Sequence, residues 1–449
     1  MNYDLIVIGA GPGGHAAAIE AAKLGRKVLV IEKGDWGGTC THRGCIPTKA
    51  LLACSRRYQE IKTWKRLGIS AENGSFDFHV VRRHQAQMVK VSALGIRKSL
   101  QDLGVDCMEG EAAILAPGVV EITLLTGETE RMHGDNIIIS WGSEVSPLPL
   151  IPFTNRIISS DTLLQMETLP ASLAVIGGGA IGVEFATFLA EVGVKVTLLE
   201  LMAHILPYED QDVADLLTGE LKKKGIDIHT AASVQEVAET NEGVTLLAIR
   251  ANQPFQVAAD YILISTGRRP RLRRPELDRL GIAYSGRGIV VDSYLQTSVP
   301  GIFAVGDVTG GILLAHRAAA QGRTVSRYLF TDPAARHTDD AIPTVVYSHP
   351  PVARVGLTEE KARQLGLDIE IRKKEYGTNI IARTELMGNG FIKTIFHKDR
   401  LVGAAIVGEQ APDLNAALCL AVAAGLTDRD LHNWIIPHPT LSELLDLHH

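Results

Sequence analysis

The sequence predicts an α/β fold in which two similar strand–turn–helix–strand units are followed by a C-terminal α+β domain. Three observations lead to this prediction. A glycine-rich turn directly follows an apolar strand at two places, near residues 9 and 177. Apolar strands at 137–142 and 261–267 lie on either side of the second unit. Beyond residue 333 the chain mixes strands with helices and shows no further turn of this kind.

The first unit begins with an apolar strand at 5–8 that runs into a turn containing Gly9, Gly11 and Gly14. A helix and a second apolar strand follow, and the strand ends on Glu32. Gly9 permits a tight turn, Gly11 lets the backbone approach a pyrophosphate, and Gly14 lets the helix pack close to the strand. The pyrophosphate would face the N–H groups at the start of the helix, and Glu32 can accept a hydrogen bond from a ribose hydroxyl.

The second unit repeats this arrangement. A strand at 173–176 enters a turn with Gly177, Gly179 and Gly182, and the next strand ends on Glu200. The acid follows the first glycine by the same number of residues in both copies. One glycine pattern alone is a weak signal, but two copies with the same flanking elements predict two Rossmann-like dinucleotide-binding units.

The strands on either side of the second unit indicate that the chain leaves the first domain and later returns to it. A proline-containing stretch at 146–152 marks the first crossing. A chain of 449 residues has room for two to four domains. We therefore expect a first domain from 1–145 and 267–337, a second from 146–266, and a C-terminal domain from 338–449.

The later segments have their own predicted elements. After the chain returns to the first domain, an apolar strand runs to Asp307, and a helix is expected at 315–330. In the C-terminal domain we expect strands near 344–347, 390–397 and 402–407 and helices at 358–365 and 413–424.

Composition argues against several classes of function. The formal net charge of -6 gives no strongly basic surface, so we expect no nucleic-acid partner. No apolar stretch approaches the roughly 20 residues that span a bilayer, so we expect no membrane insertion. The first strand begins at residue 4, which leaves no room for a signal peptide, and we expect the protein in the cytoplasm.

Cys40 and Cys45 lie five positions apart beside the first unit. A straight helix would separate them by about 7.5 Å along its axis, too far for a disulfide, but Gly44 and Pro47 argue against a straight helix. Zinc would need further ligands, and no second cysteine pair exists, so no metal site is expected. Two inert buried cysteines are the other alternative. A redox-active pair is favoured, and a flavin is the natural relay between a dithiol and NAD.

The segment Gly44-Cys45-Ile46-Pro47-Thr48-Lys49 resembles the redox-active signature of the pyridine nucleotide–disulfide oxidoreductases, and among them most closely the dihydrolipoamide dehydrogenases. The resemblance extends over nearly the whole chain and includes the motif His438-Pro439-Thr440-Leu441-Ser442-Glu443. It implies FAD on the first unit, NAD on the second, and a C-terminal dimerisation domain in an obligate homodimer.

The resemblance also implies which residues contact each cofactor. On FAD it places Gly9, Gly11, Gly14, Glu32, Lys49 near flavin N5, Ala112 near the adenine, Asp307 at the ribityl or phosphate region and Ala315 beside the flavin ring. On NAD it places Gly177, Gly179, Gly182, Glu200, Val234 beside the adenine and Gly267 near the nicotinamide.

The resemblance further implies a set of catalytic residues. Cys45 would face the flavin, and Cys40 would exchange with the substrate. Lys49 would be paired with Glu184. His438 would take the substrate thiol proton, because an imidazole changes charge near neutral pH, and Glu443 would orient the imidazole. In this family the last two residues reach the active site of the other subunit.

The implied reaction is oxidation of a dihydrolipoyl group, on a carrier protein or a small dithiol, with reduction of NAD. Thr41-His42-Arg43 between the cysteines and Ile436-Pro437 before His438 depart from the family pattern and leave the dithiol open. Another NAD(P)H-dependent flavin disulfide reductase is therefore an alternative. So is an enzyme like the soluble pyridine nucleotide transhydrogenases, which Cys40-Thr41-His42 resembles. A non-enzymatic flavoprotein would have to explain Cys40, Cys45 and His438 together.

We predict that the enzyme uses NADH in preference to NADPH. Glu200 suits a free ribose 2′-hydroxyl and repels a 2′-phosphate, and residues 201–206 supply no Arg or Lys to bind that phosphate. The measurement is kcat/KM for the two coenzymes with the same acceptor. Comparable values for NADPH and NADH would contradict the prediction.

Overall fold

The structure is a computed structural model that describes residues 2–70, 74–149 and 151–446. The chain forms two compact units. Unit 1 contains Met1–Ala50, Val80–Ser146 and Arg268–Asp339, and unit 2 contains Leu51–His79, Pro147–Gly267 and Asp340–His449. Residues 51–79, which we assign from the sequence to the first domain, group with unit 2. The division of unit 2 into two domains remains a prediction.

The strands are numbered along the chain. Up to Ser146 they are β1 (Asn2–Ile8), β2 (Val28–Glu32), β3 (Asp106–Ala116), β4 (Val119–Leu124), β5 (Thr129–Ile139) and β6 (Ser143–Val145). Up to Gly267 they are β7 (Ile157–Ser159), β8 (Ser172–Ile176), β9 (Lys195–Leu199), β10 (Asp227–His229), β11 (Ala232–Glu239), β12 (Val244–Arg250), β13 (Gln253–Ala259) and β14 (Tyr261–Ile264). The remainder are β15 (Arg268–Pro270), β16 (Tyr284–Ser285), β17 (Gly288–Ile289), β18 (Ile302–Ala304), β19 (Thr344–Val346), β20 (Val352–Gly356), β21 (Glu370–Glu375), β22 (Phe391–His397) and β23 (Arg400–Val407).

The helices are numbered in the same way. They are α1 (Pro12–Lys23), α2 (Gly38–His42), α3 (Cys45–Trp64), α4 (Phe78–Gln101), α5 (Ser160–Leu163), α6 (Ala180–Glu191), α7 (Gln211–Lys223), α8 (Arg274–Leu280), α9 (Ala315–Phe330), α10 (Glu359–Gln364), α11 (Ile380–Thr384), α12 (Ala411–Ala424) and α13 (Asp428–His432). Short 3₁₀ helices are found at Lys65–Leu67, Gly306–Thr309, Tyr376–Thr378 and Leu441–Leu445. Within the described ranges, none of the helices is both long enough and apolar enough to span a bilayer.

The main sheet of unit 1 contains parallel strands in the order β3–β2–β1–β5–β18. β3 and β5 extend beyond this parallel part, and β4 pairs with both of them in antiparallel direction. Ile8, at the carboxyl end of β1, lies beside Ile31 of β2 and Ile139 of β5. The carboxyl ends of the parallel strands therefore meet at one edge, where ligands bind in sheets of this kind.

Unit 2 contains a second parallel sheet in the order β10–β9–β8–β14–β7. Its carboxyl edge repeats that of unit 1, since Ile176 of β8 lies beside Leu199 of β9 and Ile264 of β14. A separate antiparallel sheet is formed by β11, β12 and β13. These two parallel sheets, each entered by a glycine turn, confirm the predicted α/β fold.

The C-terminal part of unit 2 is an antiparallel sheet in the order β19–β20–β23–β22–β21. The helix α12 covers one face, with Leu414 and Leu418 in the same apolar cluster as Ile392, Phe396 and Ile406. This region is the predicted α+β domain. Its strands and helices follow the hydrophobic periodicity of the sequence because the strands bury one or both faces.

Most of the elements predicted in the later segments are confirmed. The expected strands at 344–347, 390–397 and 402–407 are β19, β22 and β23, and the expected helices at 315–330, 358–365 and 413–424 are α9, α10 and α12. The long helices α3 and α4 and the strand β21 were not predicted. The strand β21 reads Glu-Ile-Arg-Lys-Lys-Glu and lies at a sheet edge, where charged residues replace the apolar pattern.

A buried carboxylate joins four segments of unit 2. Glu191, at the end of α6, accepts hydrogen bonds from Ser55 Oγ of α3 at 2.7 Å and Lys224 Nζ after α7 at 2.9 Å. His349 Nδ1 lies 2.8 Å from its Oε1. Burial raises the pKa of Glu191, but His349 and Lys224 outweigh that effect, so the pKa lies below its ordinary value. The carboxylate is therefore ionised and holds α3 against α6.

We predict that His349→Ala destabilises the protein by about 3 kcal/mol at neutral pH, because it removes a partner from a buried ion group. The folded-state pKa of Glu191 is lowered, so its contribution is present above the ordinary value of 4.5 and is lost as pH falls through the lower folded value. The difference in the free energy of unfolding between the variant and the wild type should therefore become smaller as the pH falls. Thermal unfolding at pH 7 and near pH 4 measures it, with the exposed His79→Ala as control. An equal difference at both pH values would contradict the assignment.

Candidate redox-active site

The first glycine turn lies at the carboxyl edge of the unit 1 sheet. Gly9 has a φ of 106°, and a Cβ there would be 2.3 Å from the carbonyl oxygen of Ser140. A Cβ on Gly14 would be 2.0 Å from the carbonyl oxygen of Gly9, so α1 begins in close contact with the turn. At Gly11 no atom lies within 4 Å of the position of a Cβ. The turn is thus packed on two sides and open at Gly11.

The second glycine turn has the same geometry. Gly177 has a φ of 109°, and its Cβ would be 2.7 Å from the carbonyl oxygen of Ser265. A Cβ on Gly182 would be 1.9 Å from the carbonyl oxygen of Gly177, and at Gly179 no atom lies within 4 Å. Each turn therefore leaves the middle glycine accessible next to the first N–H groups of a helix, which is the surface that a pyrophosphate needs.

A glutamate at the end of β2 and a glutamate directly after β9 each accept a backbone N–H of one turn. The Glu32 carboxylate accepts the N–H of Ala10 at 2.7 Å and that of Gly34 at 2.9 Å. Glu200 accepts the N–H of Gly178 at 2.6 Å and that of Met202 at 2.7 Å. A carboxylate has about four acceptor positions, so each acid retains capacity for a ribose hydroxyl. The residues present fit a dinucleotide at both turns.

Further predicted FAD residues line the same part of unit 1. Asp307 follows β18 and accepts the hydroxyl of Ser143 at 2.6 Å, and Arg268 Nε donates to that hydroxyl at 2.9 Å. Ser143 was not predicted, because a single serine after a strand carries no recognisable pattern. Ala315 is the first residue of α9. Ala112 is buried in β3, and its carbonyl accepts Arg273 Nη1 at 2.7 Å. Their contacts with FAD remain predictions.

The remaining predicted NAD residues lie in unit 2. Val234 is in β11 at an irregularity in its pairing with β12. Gly267 has a φ of 122° and, like Gly179, has no atom within 4 Å of a Cβ position. The space at Gly267 is compatible with a nearby ring, and the assignment of both residues to NAD remains a prediction.

The short helix α2 and the start of the long helix α3 carry the paired cysteines. Cys40 lies in α2, which ends at His42, and Cys45 is the first residue of α3. Arg43 leaves the helical conformation, and a Cβ on Gly44 would be 3.1 Å from the carbonyl oxygen of Thr39. The helical conformation is therefore interrupted between Cys40 and Cys45, as expected for a segment that is not a straight helix, and both cysteines are thiols in the structure.

The side chains of Cys40 and Cys45 form a hydrogen bond with each other. The pKa of the Cys40 thiol is raised, first by a hydrogen bond with the Cys45 side chain and then by burial, while the charge of Lys49 acts in the opposite direction. The second proton of such a pair is harder to remove than the first, because two adjacent thiolates repel each other. Lys49 follows Cys45 by one helical turn, so both lie on the same face of α3.

The unusual residues between the cysteines are part of the turn itself. Thr41 is buried, and a Cβ on Gly37 would be 2.4 Å from its hydroxyl oxygen. His42 Nε2 lies 3.0 Å from the carbonyl oxygen of Trp36. Both side chains thus stabilise the approach to α2, which gives their departure from the family pattern a local structural role.

Glu184 is a buried residue of α6 in unit 2, and its carboxylate accepts the N–H of Tyr347 at 2.9 Å. Lys49 belongs to unit 1. Because Glu184 belongs to unit 2, the pairing of these two residues remains a prediction.

His438 and Glu443 form a pair near the C-terminus. His438 Nδ1 lies 2.7 Å from Glu443 Oε1, and the N–H of Thr440 donates to Glu443 Oε2 at 3.1 Å. The hydrogen bonds from His438 and Thr440 hold the pKa of Glu443 below its ordinary value. An ionised Glu443 only accepts hydrogen bonds, so Nδ1 carries a proton. The imidazole side chain is 75% exposed, which leaves Nε2 available to a substrate.

Thr440 was not predicted to have a role. Its hydroxyl and the Glu443 carboxylate form a capping box at the start of the 3₁₀ helix Leu441–Leu445. Asn379 Nδ2 donates to the carbonyl oxygen of Thr440 at 3.0 Å. The pattern Thr-x-x-Glu is a readable capping signal in the sequence, whereas nothing in the sequence indicates Asn379. Among the described residues, no group of three or more His, Cys, Asp or Glu side chains could hold a metal ion.

Comparison with known families matches almost the entire chain. A family model described as "Pyridine nucleotide-disulphide oxidoreductase" matches residues 3–322. A second, described as the "dimerisation domain" of the same family, matches residues 342–448. These matches confirm the resemblance drawn from the motifs around Cys45 and His438.

Curated relatives align with the chain from end to end. A dihydrolipoyl dehydrogenase from Geobacillus stearothermophilus is 38% identical over 448 residues, covering 99% of this chain and 95% of the relative. A dihydrolipoyl dehydrogenase from Chlorobaculum tepidum is 35% identical over 446 residues, covering 98% and 95%.

Solved structures share the fold. The HOCl-induced flavoprotein disulfide reductase RclA from Escherichia coli is 31% identical, with a TM-score of 0.86 and 99% of each chain covered. LpdA from Mycobacterium tuberculosis is 26% identical, with a TM-score of 0.91 and 98% of each chain covered.

We predict that Gly179→Ala raises the KM for NADH about tenfold while leaving flavin content unchanged. The added methyl group meets no protein atom within 4 Å, so the fold tolerates it, but it occupies the space that the pyrophosphate needs. Steady-state kinetics and flavin absorbance measure the two effects.

Gly219→Ala is the matched control, because a Cβ there is equally unobstructed but lies in the middle of α7. It should leave the KM for NADH at the wild-type value. An unchanged KM in Gly179→Ala would show that the second turn does not receive NADH.

Proposed function

The chain belongs to the pyridine nucleotide-disulphide oxidoreductase family, and from that premise we propose that it is a dihydrolipoyl dehydrogenase that oxidises a protein-bound dihydrolipoyl group and reduces NAD. It is a flavoprotein enzyme whose cofactors are FAD and NAD. The observation that carries the proposal is the contact between Cys40 and Cys45, on the segment that follows the first dinucleotide turn.

The reaction at the cysteines is a thiol–disulfide exchange. With Cys40 and Cys45 joined as a disulfide, one thiolate of the substrate attacks the Cys40 sulfur, which breaks the disulfide and releases the Cys45 thiolate. The second substrate thiolate then displaces Cys40, so that the substrate leaves as a cyclic disulfide. The protein thus gains two electrons as a dithiol, and FAD supplies the route by which they pass from this dithiol to NAD.

Several residues control charge during this exchange. Lys49 places a positive charge near Cys40 and favours the thiolate form of the pair. His438 accepts the proton of the substrate thiol at Nε2, and Glu443 holds the imidazole by Nδ1–H and stabilises the cation that forms.

The family's dimerisation domain covers residues 342–448, so the enzyme is a homodimer. We propose that His438 and Glu443 of one subunit serve the cysteine pair of the partner subunit. The large exposed fraction of His438 supports this proposal, because a base with an exposed Nε2 is available to a site outside its own subunit. The proposed location is the cytoplasm, the proposed partner is a lipoyl-carrying protein, and no nucleic acid or membrane partner is proposed.

The experiment that tests the function is an anaerobic titration of the yellow protein with dihydrolipoamide, followed by NAD. We expect a long-wavelength absorption band to appear with the dithiol and to disappear as NADH forms. Flavin that stays oxidised with dihydrolipoamide but is bleached by NADH would exclude lipoamide. That outcome would favour another disulfide substrate or transhydrogenation, the two alternatives that Thr41 and His42 leave open.

We predict that Cys45→Ser retains FAD but oxidises dihydrolipoamide at least about 1000-fold more slowly, because the exchange has no second sulfur to close the disulfide. Cys54→Ser is the control, since Cys54 lies on the same helix α3 and takes no part in the exchange. Retained turnover in Cys45→Ser would refute the mechanism.

We predict that His438→Gln slows the dithiol half-reaction about 100-fold, which is the usual contribution of a general base. Diaphorase activity with NADH and an artificial acceptor should stay within about twofold of wild type, because it does not use the substrate thiol proton. Stopped-flow reduction by dihydrolipoamide and steady-state diaphorase assays separate the two. An equal loss in both reactions would mean that His438 acts on folding or flavin binding.

A further inference from the structure

The segment that follows Glu200 folds back onto the second glycine turn and holds its backbone. The Glu200 carboxylate accepts the N–H of Gly178 at 2.6 Å, and the N–H of Leu206 donates to the carbonyl oxygen of Gly178 at 2.8 Å. Both polar backbone groups of Gly178 are therefore bound by one segment. Gly178 lies directly before Gly179, where the turn is open. Residues 200–206 therefore hold the backbone next to this open position.

The same segment is fastened at its other end to the C-terminal sheet. The N–H of Glu209 donates to the carbonyl oxygen of Leu206 at 2.9 Å. The Glu209 carboxylate accepts Arg354 Nε of β20 at 2.8 Å and the hydroxyl of Thr344 in β19 at 3.3 Å. Glu209 is buried and Arg354 is mostly so. A chain of three hydrogen bonds thus runs from Arg354 through Glu209 and Leu206 to Gly178.

A second buried ion pair supports the first. Asp210 Oδ2 lies 2.8 Å from Lys393 Nζ of β22 and also accepts the N–H of Glu359 at 3.1 Å. Asp210 is the residue immediately before α7, so this pair also fixes the start of that helix. Within the segment, Ile205 and Leu206 are buried, whereas Tyr208 has 85% of its surface accessible. The segment is therefore held at both ends, by the glycine turn and by the C-terminal sheet.

The two glycine turns differ in the residue that donates a hydrogen bond to the carbonyl oxygen of their second residue. In the first turn the residue equivalent to Gly178 is Ala10, and its carbonyl oxygen accepts the N–H of Gly37 at 3.2 Å. Gly37 has a φ of 101°, which glycine adopts without strain. In the second turn the donor is Leu206, with a φ of 50°, which is unfavourable for a bulky residue that has a Cβ. Such a conformation persists only when its surroundings hold it.

We propose that Arg354 is a positioning residue for NAD, which acts through Glu209 and Leu206 to hold the Gly178–Gly179 turn in the conformation that receives the pyrophosphate. The proposal rests on the proposed function, in which the second turn binds NAD. Arg354 does not touch the dinucleotide in this scheme. Its loss releases the segment 200–210 and weakens dinucleotide binding, while the cysteine pair keeps its activity.

The experiment is calorimetric titration of the FAD-loaded protein with ADP-ribose, which carries the adenine, ribose and pyrophosphate of NAD but cannot be reduced. Arg354→Met and Glu209→Ala should each raise the Kd for ADP-ribose about tenfold. The double variant should bind no more weakly than either single one, because both changes break the same connection. In steady-state assays, the KM for NADH should rise in parallel with the Kd for ADP-ribose. The kcat of the reaction with the dithiol substrate should stay near the wild-type value.

Arg372→Met is the matched control, because Arg372 of β21 pairs with Asp428 and, in the described part of the chain, forms no hydrogen bond or ion pair with residues 200–210. It should bind ADP-ribose as the wild type does. Glu209→Gln keeps the shape of the side chain and removes its charge, so it tests the proposal if the larger truncations fail to fold. It should weaken ADP-ribose binding about threefold.

Unchanged affinity for ADP-ribose in folded Arg354→Met, Glu209→Ala or Glu209→Gln would overturn the proposal. So would fully additive losses in the double variant, since Arg354 would then act independently of Glu209. If the wild-type protein itself does not bind ADP-ribose, the assignment of NAD to the second turn fails, and the proposed function must be revised before any role of Arg354. The two failures are therefore distinguishable.

Discussion

The close contact between each glycine turn and the helix that follows it is the constraint on which the rest of the structure depends. A Cβ on Gly14 or Gly182 would lie 2.0 Å or 1.9 Å from the carbonyl oxygen of the first glycine in its turn. Any side chain there would move the helix away from the carboxyl edge of the sheet. The N–H groups at the start of the helix would then no longer face the open position at Gly11 or Gly179.

The two units use the same turn but continue from it differently. In each, an acid closes on the residue after the first glycine, and the following loop returns to donate a hydrogen bond to the same residue. In unit 1 the loop returns with Gly37 and leads directly into α2 and Cys40. In unit 2 it returns with Leu206 and leads to the buried acids Glu209 and Asp210. The loop of unit 1 therefore leads to the cysteine pair, and the loop of unit 2 attaches its turn to the C-terminal sheet.

The ionisation of each reactive side chain is controlled mainly by residues close to it in the sequence. Cys40 is affected by the neighbouring sulfur, by burial and by Lys49, all within ten residues of sequence. Glu443 is held ionised by His438 and by the backbone of Thr440, both within five residues of it in the sequence. Such local interactions tolerate variation elsewhere in the chain, which is consistent with solved structures that share the fold at 26% and 31% identity.

Much of the molecule was predictable from the sequence because its signals are local. The spacing of Gly9, Gly11 and Gly14, repeated at Gly177, Gly179 and Gly182, determined both dinucleotide units, since only glycine fits the turn and the helix contact. Gly44 and Pro47 indicated that the segment from Cys40 to Cys45 is not one straight helix, as the break between α2 and α3 confirms. The apolar periodicity of the C-terminal region located β19, β22, β23 and α12, because each buries a face.

Only the tertiary structure revealed contacts between residues distant in sequence. Nothing in the sequence connects Arg354 with Glu209, or Ser55 and His349 with Glu191, because a buried ion pair depends on where separate segments meet. The strand β21 was missed for a related reason, since its charged residues are stabilised by pairing with β22 and leave no apolar pattern. The sequence determined which chemical groups the protein carries and the turns that hold them, and the tertiary structure decided which distant charges hold those turns in place.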